Sequence, residues 1–182
     1  MTQITKISVL AGMFFFLLAQ ASFSQNAQFP IVKGHGGIYE IPDATENPDP
    51  NAVYKIIVDL TFSAEDPTKV NRMVDNIARM INLHGLAGTP KENIKVKVVV
   101  HGGAIFTVLK DEAYEKLYGV KNPNLDVFKA LQESGVEVYI CGQSLVARAL
   151  RTSDVWEGTQ IALSALTTLT TYIPQGYVYF KF

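Results

Sequence analysis

Apolar positions recur along this chain with two different periods. Residues 54–60 form a nearly continuous apolar, β-branched run, which predicts a strand buried on both faces. Residues 96–100 and 136–140 repeat the pattern, the second running straight into Cys141, and residues 177–180 supply a last strand. Between these runs the spacing turns helical. Val70, Met73, Val74, Ile77, Ala78 and Ile81 recur three and four apart, with Asp66 expected to cap the helix, Pro67 at its first position and Gly85 at its end. Thr107 is expected to cap a short helix through Tyr118, stopped by Gly119. Asn122-Pro123 opens another, with Leu125, Phe128 and Leu131 on one face and Gly135 after it. Residues 144–150 and 159–172 read as two further helices, the second rich in small residues and broken by Pro174 and Gly176. Strands that alternate with helices and are apolar throughout imply parallel pairing and right-handed crossovers with helices on both faces. The predicted fold is a three-layer α/β/α sandwich around a mostly parallel sheet.

Two segments stand outside this alternation. Residues 1–24 carry Lys6, an apolar stretch over 7–19, and the small residues Ser22 and Ser24, the pattern of an export signal cleaved after about Ser24. That stretch falls short of the roughly 20 residues of a membrane span and no later run reaches it, so no membrane association is expected after cleavage. The expected destination is the periplasm or the exterior. Residues 25–52 are rich in proline, glycine and asparagine, including Gly34-His35-Gly36-Gly37 and Asn47-Pro48-Asp49-Pro50, and read as an extended N-terminal arm. Its apolar residues Phe29, Ile31, Val32, Ile38, Tyr39 and Ile41 predict packing on its own domain or on a neighbouring subunit. Residues 53–182 then form a single α/β domain.

Charge and motif content narrow the function by exclusion. With 16 Lys and Arg against 17 Asp and Glu, the chain lacks the basic excess that a nucleic-acid partner needs. Lys91, Lys95 and Lys97 read as the solvated border of a strand. His35, His84 and His101 with one cysteine show no metal-ligand spacing, so no metal is expected. His84, just before Gly85, reads as a cation at a helix C-terminus. No cofactor is expected either: the glycine run at 34–37 lacks the following Lys-Ser/Thr of a phosphate loop, and no Gly-x-Ser-x-Gly elbow occurs. Position 144 is Ser, so a two-cysteine redox motif is absent.

Chemistry concentrates at the strand ends. In a parallel sheet ligands bind beyond the carboxyl ends of the strands, and Asp59, His101 and Cys141 fall on that rim. Cys141 is the only cysteine, and in an exported chain it has no internal disulfide partner. A helix N-terminus just after it favours the thiolate by about 0.3–1 kcal/mol. Backbone N–H groups near Gly142, Gln143 and Ser144 are expected to hold an anionic sulfur species, with Gly142 admitting a ligand close to the backbone. His101, followed by Gly102 and Gly103, offers a proton or a hydrogen bond to the same rim, or a cationic neighbour for the thiolate. Arg148 and Arg151 are candidates to draw an anion toward it. The competing structural readings are a buried apolar thiol closing a strand, a histidine tying down a loop, and arginines on a solvated helix face.

Three separated runs carry a family resemblance: Val98-Val99-Val100-His101-Gly102-Gly103-Ala104, residues 135–144 from Gly135 to Ser144, and residues 162–169 before Gly176-Tyr177. Together they resemble the DsrE/DsrF-like family, over about residues 53–180. The resemblance implies an α/β/α fold around a mostly parallel sheet, assembly as homotrimers or hexamers, and a persulfide carried on Cys141. The expected function is that of a periplasmic sulfur carrier or sulfurtransferase-like protein. Cys141 would take sulfur from a donor and pass it to an acceptor, with His101 assisting. Lacking a second cysteine, the chain would hand its sulfur to another protein or to a small thiol. The alternative is a non-catalytic oligomeric module that binds a small anion with Cys141 lining the pocket. An assembly role, with the arm clasping a neighbour, is the third reading.

Overall fold

The computed structural model describes residues 26–182, so the expected signal segment and its cleavage point lie outside the described residues. Strands β1 (Tyr54–Leu60), β2 (Ile94–Val100), β3 (Glu137–Cys141), β4 (Thr159–Ala162) and β5 (Val178–Lys181) form one parallel sheet in the order β4-β3-β2-β1-β5. The helices are α1 (Arg72–Leu86), α2 (Asp111–Tyr118), α3 (Leu125–Glu133), α4 (Gly142–Val146) and α5 (Ala165–Tyr172). The chain steps from β1 through β4 in one direction, then returns once, through α5, to set β5 on the other side of β1. A right-handed crossover puts its helix on one sheet face when the chain steps one way and on the opposite face when it steps back. Side chains of α1, α2 and α3 accordingly share one large core with Ile56, Val58, Leu60, Val98, Val100, Val138 and Ile140. Ile57, Val99 and Cys141 face the other way, against Ala165 and Leu169 of α5. The α/β/α sandwich is present, with very unequal outer layers.

Several elements differ from the sequence reading, each for a local reason. Asp66 does not cap α1. Its carboxylate accepts from the Thr68 N–H (2.9 Å) and hydroxyl (2.6 Å), forming a separate turn. The helix starts six residues later, with the Asn71 side chain accepting from Met73 N at 2.8 Å. Gly85 lies inside α1, where a Cβ would come within 2.7 Å of Ile31. Gly102–Val108 forms a tight 3-10 segment, so α2 begins at Asp111 rather than at Thr107. The helix expected over 144–150 is α4, and it closes early. Ala149 takes a left-handed conformation (φ 52°) and Leu150 N donates to Leu145 O at 3.0 Å, a Schellman-type end. The helix expected over 159–172 divides into β4, paired with β3, and α5, capped by Ser164.

The arm lies on its own domain. Asn82, fully buried in α1, accepts from the N–H groups of Ile31 (3.0 Å) and Val32 (2.8 Å) and donates to the carbonyls of Val32, His35 and Gly36. Two charge readings change as well. Lys97 points under α5 instead of into solvent, is 6% exposed, donates to Glu137 Oε1 at 2.6 Å and lies 4.3 Å from the Tyr172 ring centre. His84 packs at a tilt on Tyr54 with ring centres 4.2 Å apart, and its Nδ1 has no partner among the described residues. Burial pushes its imidazole down, which favours a neutral ring over a cation capping α1.

Candidate functional site

The strand order brings the three rim residues onto adjacent strands. Asp59 pairs in register with Val99, and Val100 with Ile140, so His101 and Cys141 occupy the next positions on neighbouring strands about 4.8 Å apart. All three lie on the α5 face. Asp59 is 5% exposed, with both carboxylate oxygens engaged. Its Oδ1 meets His101 Nε2, and its Oδ2 accepts from the Tyr179 hydroxyl at 2.6 Å. Tyr179 reaches it because β5 pairs Tyr179 with Ile57, two residues before Asp59 on the same face. That bond holds the phenol proton and, with burial, pushes Tyr179 up to about 12. A polar row, Tyr179–Asp59–His101–Cys141, therefore crosses β5, β1, β2 and β3 at their carboxyl ends.

The surroundings of the thiol come from two segments. Cys141 is the last residue of β3 and the cap of α4. Since α4 has five residues, its own dipole is short. The second contribution is the start of α5, where the Ser164 side chain caps the helix and Ala165 presents a first-turn N–H. Burial pushes the Cys141 thiol up. Hydrogen-bonding groups around the sulfur outweigh it and bring the thiol below its ordinary value: the Ser144 hydroxyl, the Ala165 and Ser144 N–H groups, and the Ser164 hydroxyl. His101 is not among these groups, so support of the thiolate falls to the serines and α5. With its folded value depressed, the thiol adds stability that is complete above the unfolded value near 8.5 and is lost as pH falls through the folded value.

A pH titration of Cys141 alkylation by iodoacetamide should have its midpoint below that of a free cysteine, near 8.5. Ser144→Ala and Ser164→Ala should each raise that midpoint and slow alkylation at neutral pH, because thiolate is the reacting form. Unchanged midpoints in both variants would mean that the hydroxyls do not support the anion.

The remaining predicted positions divide. Ser144 sits at the sulfur, as above. Gly142 is a close-packing glycine: a Cβ there would lie 2.9 Å from Ala162 O, so its backbone is approached by the chain itself. Gly102 needs its left-handed φ of +57° and faces Thr61 O, and Gly103 packs on Ser63. Gln143 is exposed. Arg148 is exposed too and turns back to donate to Ser144 O at 3.4 Å. A cleft of about 230 Å³, lined by residues including Tyr139, Ala162, Leu163, Thr168 and Tyr172, opens beside Ala162, the register partner of Cys141. A larger cavity, about 670 Å³, lies between the loop after β1 and the start of α1, and Cys141 does not line it. Among the described residues no cluster of His, Cys, Asp and Glu is arranged to hold a metal ion, and no helix is long and apolar enough to cross a membrane. Sequence reasoning assigned no place at the site to Ser164, Ala165 or Tyr179. Ser164 carried a usable signal as a preferred helix-capping residue.

Comparison with known proteins agrees with this geometry at the level of the fold. The family model described as DsrE/DsrF-like matches residues 55–182. Among solved structures, the chain resembles the ychN protein of E. coli, with 16% identity and a TM-score of 0.50, over 70% of this chain and 99% of that one. It also resembles MTH1491 of Methanobacterium thermoautotrophicum, a protein of unknown function, with 19% identity and a TM-score of 0.49, over 70% of this chain and 98% of that one. No curated protein sequence matches.

Proposed function

Because this chain belongs to the DsrE/DsrF-like family, we propose that it is a sulfur carrier that holds a persulfide on Cys141. The observation that supports this most directly is the seat of the buried sulfur between two helix starts, with Cys141 capping α4 and packed against Ala165 at the Ser164-capped start of α5, where Ser144, Ser164 and Ala165 bring the thiol below its ordinary value. An inert apolar thiol needs no such groups. A thiolate or a persulfide, both anionic, does. In the loading step the Cys141 thiolate attacks the outer sulfur of thiosulfate. A new S–S bond forms, the original S–S bond breaks, and sulfite leaves with its electron pair. Incubation of the protein with thiosulfate or polysulfide, followed by intact mass measurement, should show one added sulfur atom. If the folded protein takes up none while the unfolded chain reacts readily, the carrier reading fails.

The protein is further proposed to act in the periplasm or outside the cell and to assemble as a homotrimer or hexamer. The first part is supported by the apolar signal-like segment at 7–19. The second is supported by apolar side chains around α4, β4 and α5 that no other element among the described residues covers: Val146 is 78% exposed, Leu163 73% and Leu166 74%. A second copy is a natural cover for such a patch. Light scattering should return the mass of three or six chains, falling on Leu166→Glu; a monomer in the unmodified protein would refute the assembly.

A further inference from the structure

Asp59 is a carboxylate inside an apolar strand, and a buried charge persists only when it is paired. One role for its partners would be to anchor the edge strand β5. That task is already met by the backbone, since Thr61 N donates to Phe182 O at 2.9 Å and Phe182 N to Asp59 O at 3.0 Å. The side-chain row is left for another purpose. With Asp59 ionised, the imidazole nitrogen facing it carries the proton, so Nε2–H donates to Oδ1 and the lone pair of a neutral ring resides on Nδ1. Nδ1 has no protein partner among the described residues and is not a buried atom, and the side chain is 26% exposed on the rim. Tyr179 holds the second oxygen and so sets the plane of the carboxylate.

We propose that Asp59 and Tyr179 are positioning residues that lock His101 in its Nε2–H tautomer, so that Nδ1 relays one proton when the Cys141 persulfide is discharged to a thiol. The proposal rests on the carrier reading above and adds the step that empties the carrier. An acceptor thiol gives its proton to Nδ1 and attacks the outer sulfur as thiolate. The new S–S bond forms on the acceptor while the Cys141 S–S bond breaks and Cys141 leaves as thiolate with the electron pair. The proton then passes from Nδ1 to the transferred sulfur, so the acceptor departs as a neutral persulfide. While the ring is cationic, the carboxylate of Asp59 balances its charge. Without the lock, an Nδ1–H ring would offer a donor where an acceptor is required.

Two readouts test this, one of them independent of sulfur. Nitrogen-15 NMR of His101 in the unmodified protein should show the Nε2–H tautomer. Asp59→Asn should mix the tautomers, because the amide NH₂ can face the ring and drive the proton to Nδ1. After loading with thiosulfate, discharge to 2-mercaptoethanol, followed by intact mass, should slow about 10- to 100-fold in Asp59→Asn and less in Tyr179→Phe, the scale of a weakened acid–base group. Loading should change far less than discharge, since His101 is not among the groups at the thiol sulfur. An Nδ1–H ring in the unmodified protein overturns the positioning role, as does discharge from a folded Asp59→Asn or Tyr179→Phe variant at the unmodified rate. Failure of the unmodified protein to take up sulfur would instead overturn the carrier reading, and the tautomer measurement would still judge the lock.

Discussion

Cys141→Ser is expected to abolish sulfur uptake from thiosulfate and polysulfide while leaving the fold intact. Loss should be complete because the chain has no other cysteine to substitute. The stability result is as informative as the lost activity. Cys141 is 3% exposed, and placing a hydroxyl at a buried apolar position without a partner costs about 1–3 kcal/mol. Here the Ala165 and Ser144 N–H groups and the Ser164 hydroxyl stand around the sulfur. A serine oxygen can accept from them, so the change in unfolding free energy should stay within about 1 kcal/mol. Chemical denaturation with a conserved slope is the measurement. A loss of several kcal/mol would indicate an apolar seat for the thiol, and the carrier reading would then lose its main support even if some sulfur uptake were seen.

The parts of this molecule that were legible from sequence are those buried on both sides. β1, β2 and β3 lie at the centre of the sheet, and unbroken β-branched runs identify such strands with little ambiguity. The break at residues 159–172 has a physical origin. β4 is a four-residue edge strand, and its Thr-Gln-Ile-Ala sequence precedes a run of Ala, Leu and Thr that is compatible with a longer helix. Ser164 was the one residue able to divide them, as a helix cap. That misplacement hid half of the thiol's surroundings, because the start of α5 supplies Ser164 and Ala165. Crossover handedness constrains which face a helix takes but leaves the order of strands open. The adjacency of Asp59, His101 and Cys141 thus required the structure. The charge of Asp59 within the run 54–60 was an unused signal that it needs a partner; nothing in an alternating pattern could name Tyr179.

Asn82→Ala should free the N-terminal arm, with an effect limited by what the arm itself contributes. Asn82 is fully buried and makes five hydrogen bonds to the arm, two accepted and three donated. Each buried backbone group left without a partner costs about 1–3 kcal/mol, and the N–H and C=O of Val32, itself fully buried, are the worst placed. If the arm stayed docked, the summed penalty would reach several kcal/mol. The chain has a cheaper alternative, which is to release residues 26–40 into water and lose their apolar contacts, chiefly Val32 and Ile38. At about 25 cal/mol per Å² of apolar area, burial of two such side chains is worth about 3–5 kcal/mol. The expected result is therefore local: amide protection at Ile31 and Val32 collapses and proteases cut within 26–40, while the sheet unfolds with nearly unchanged cooperativity. Asn82→Asp tests the same point from the other side. It keeps an acceptor for the two N–H groups but removes the donor to three carbonyls and adds a buried charge, so it should release the arm at least as fully. Retained protection at Val32 in both variants would show that apolar packing alone holds the arm, and that the five-bond clasp is incidental.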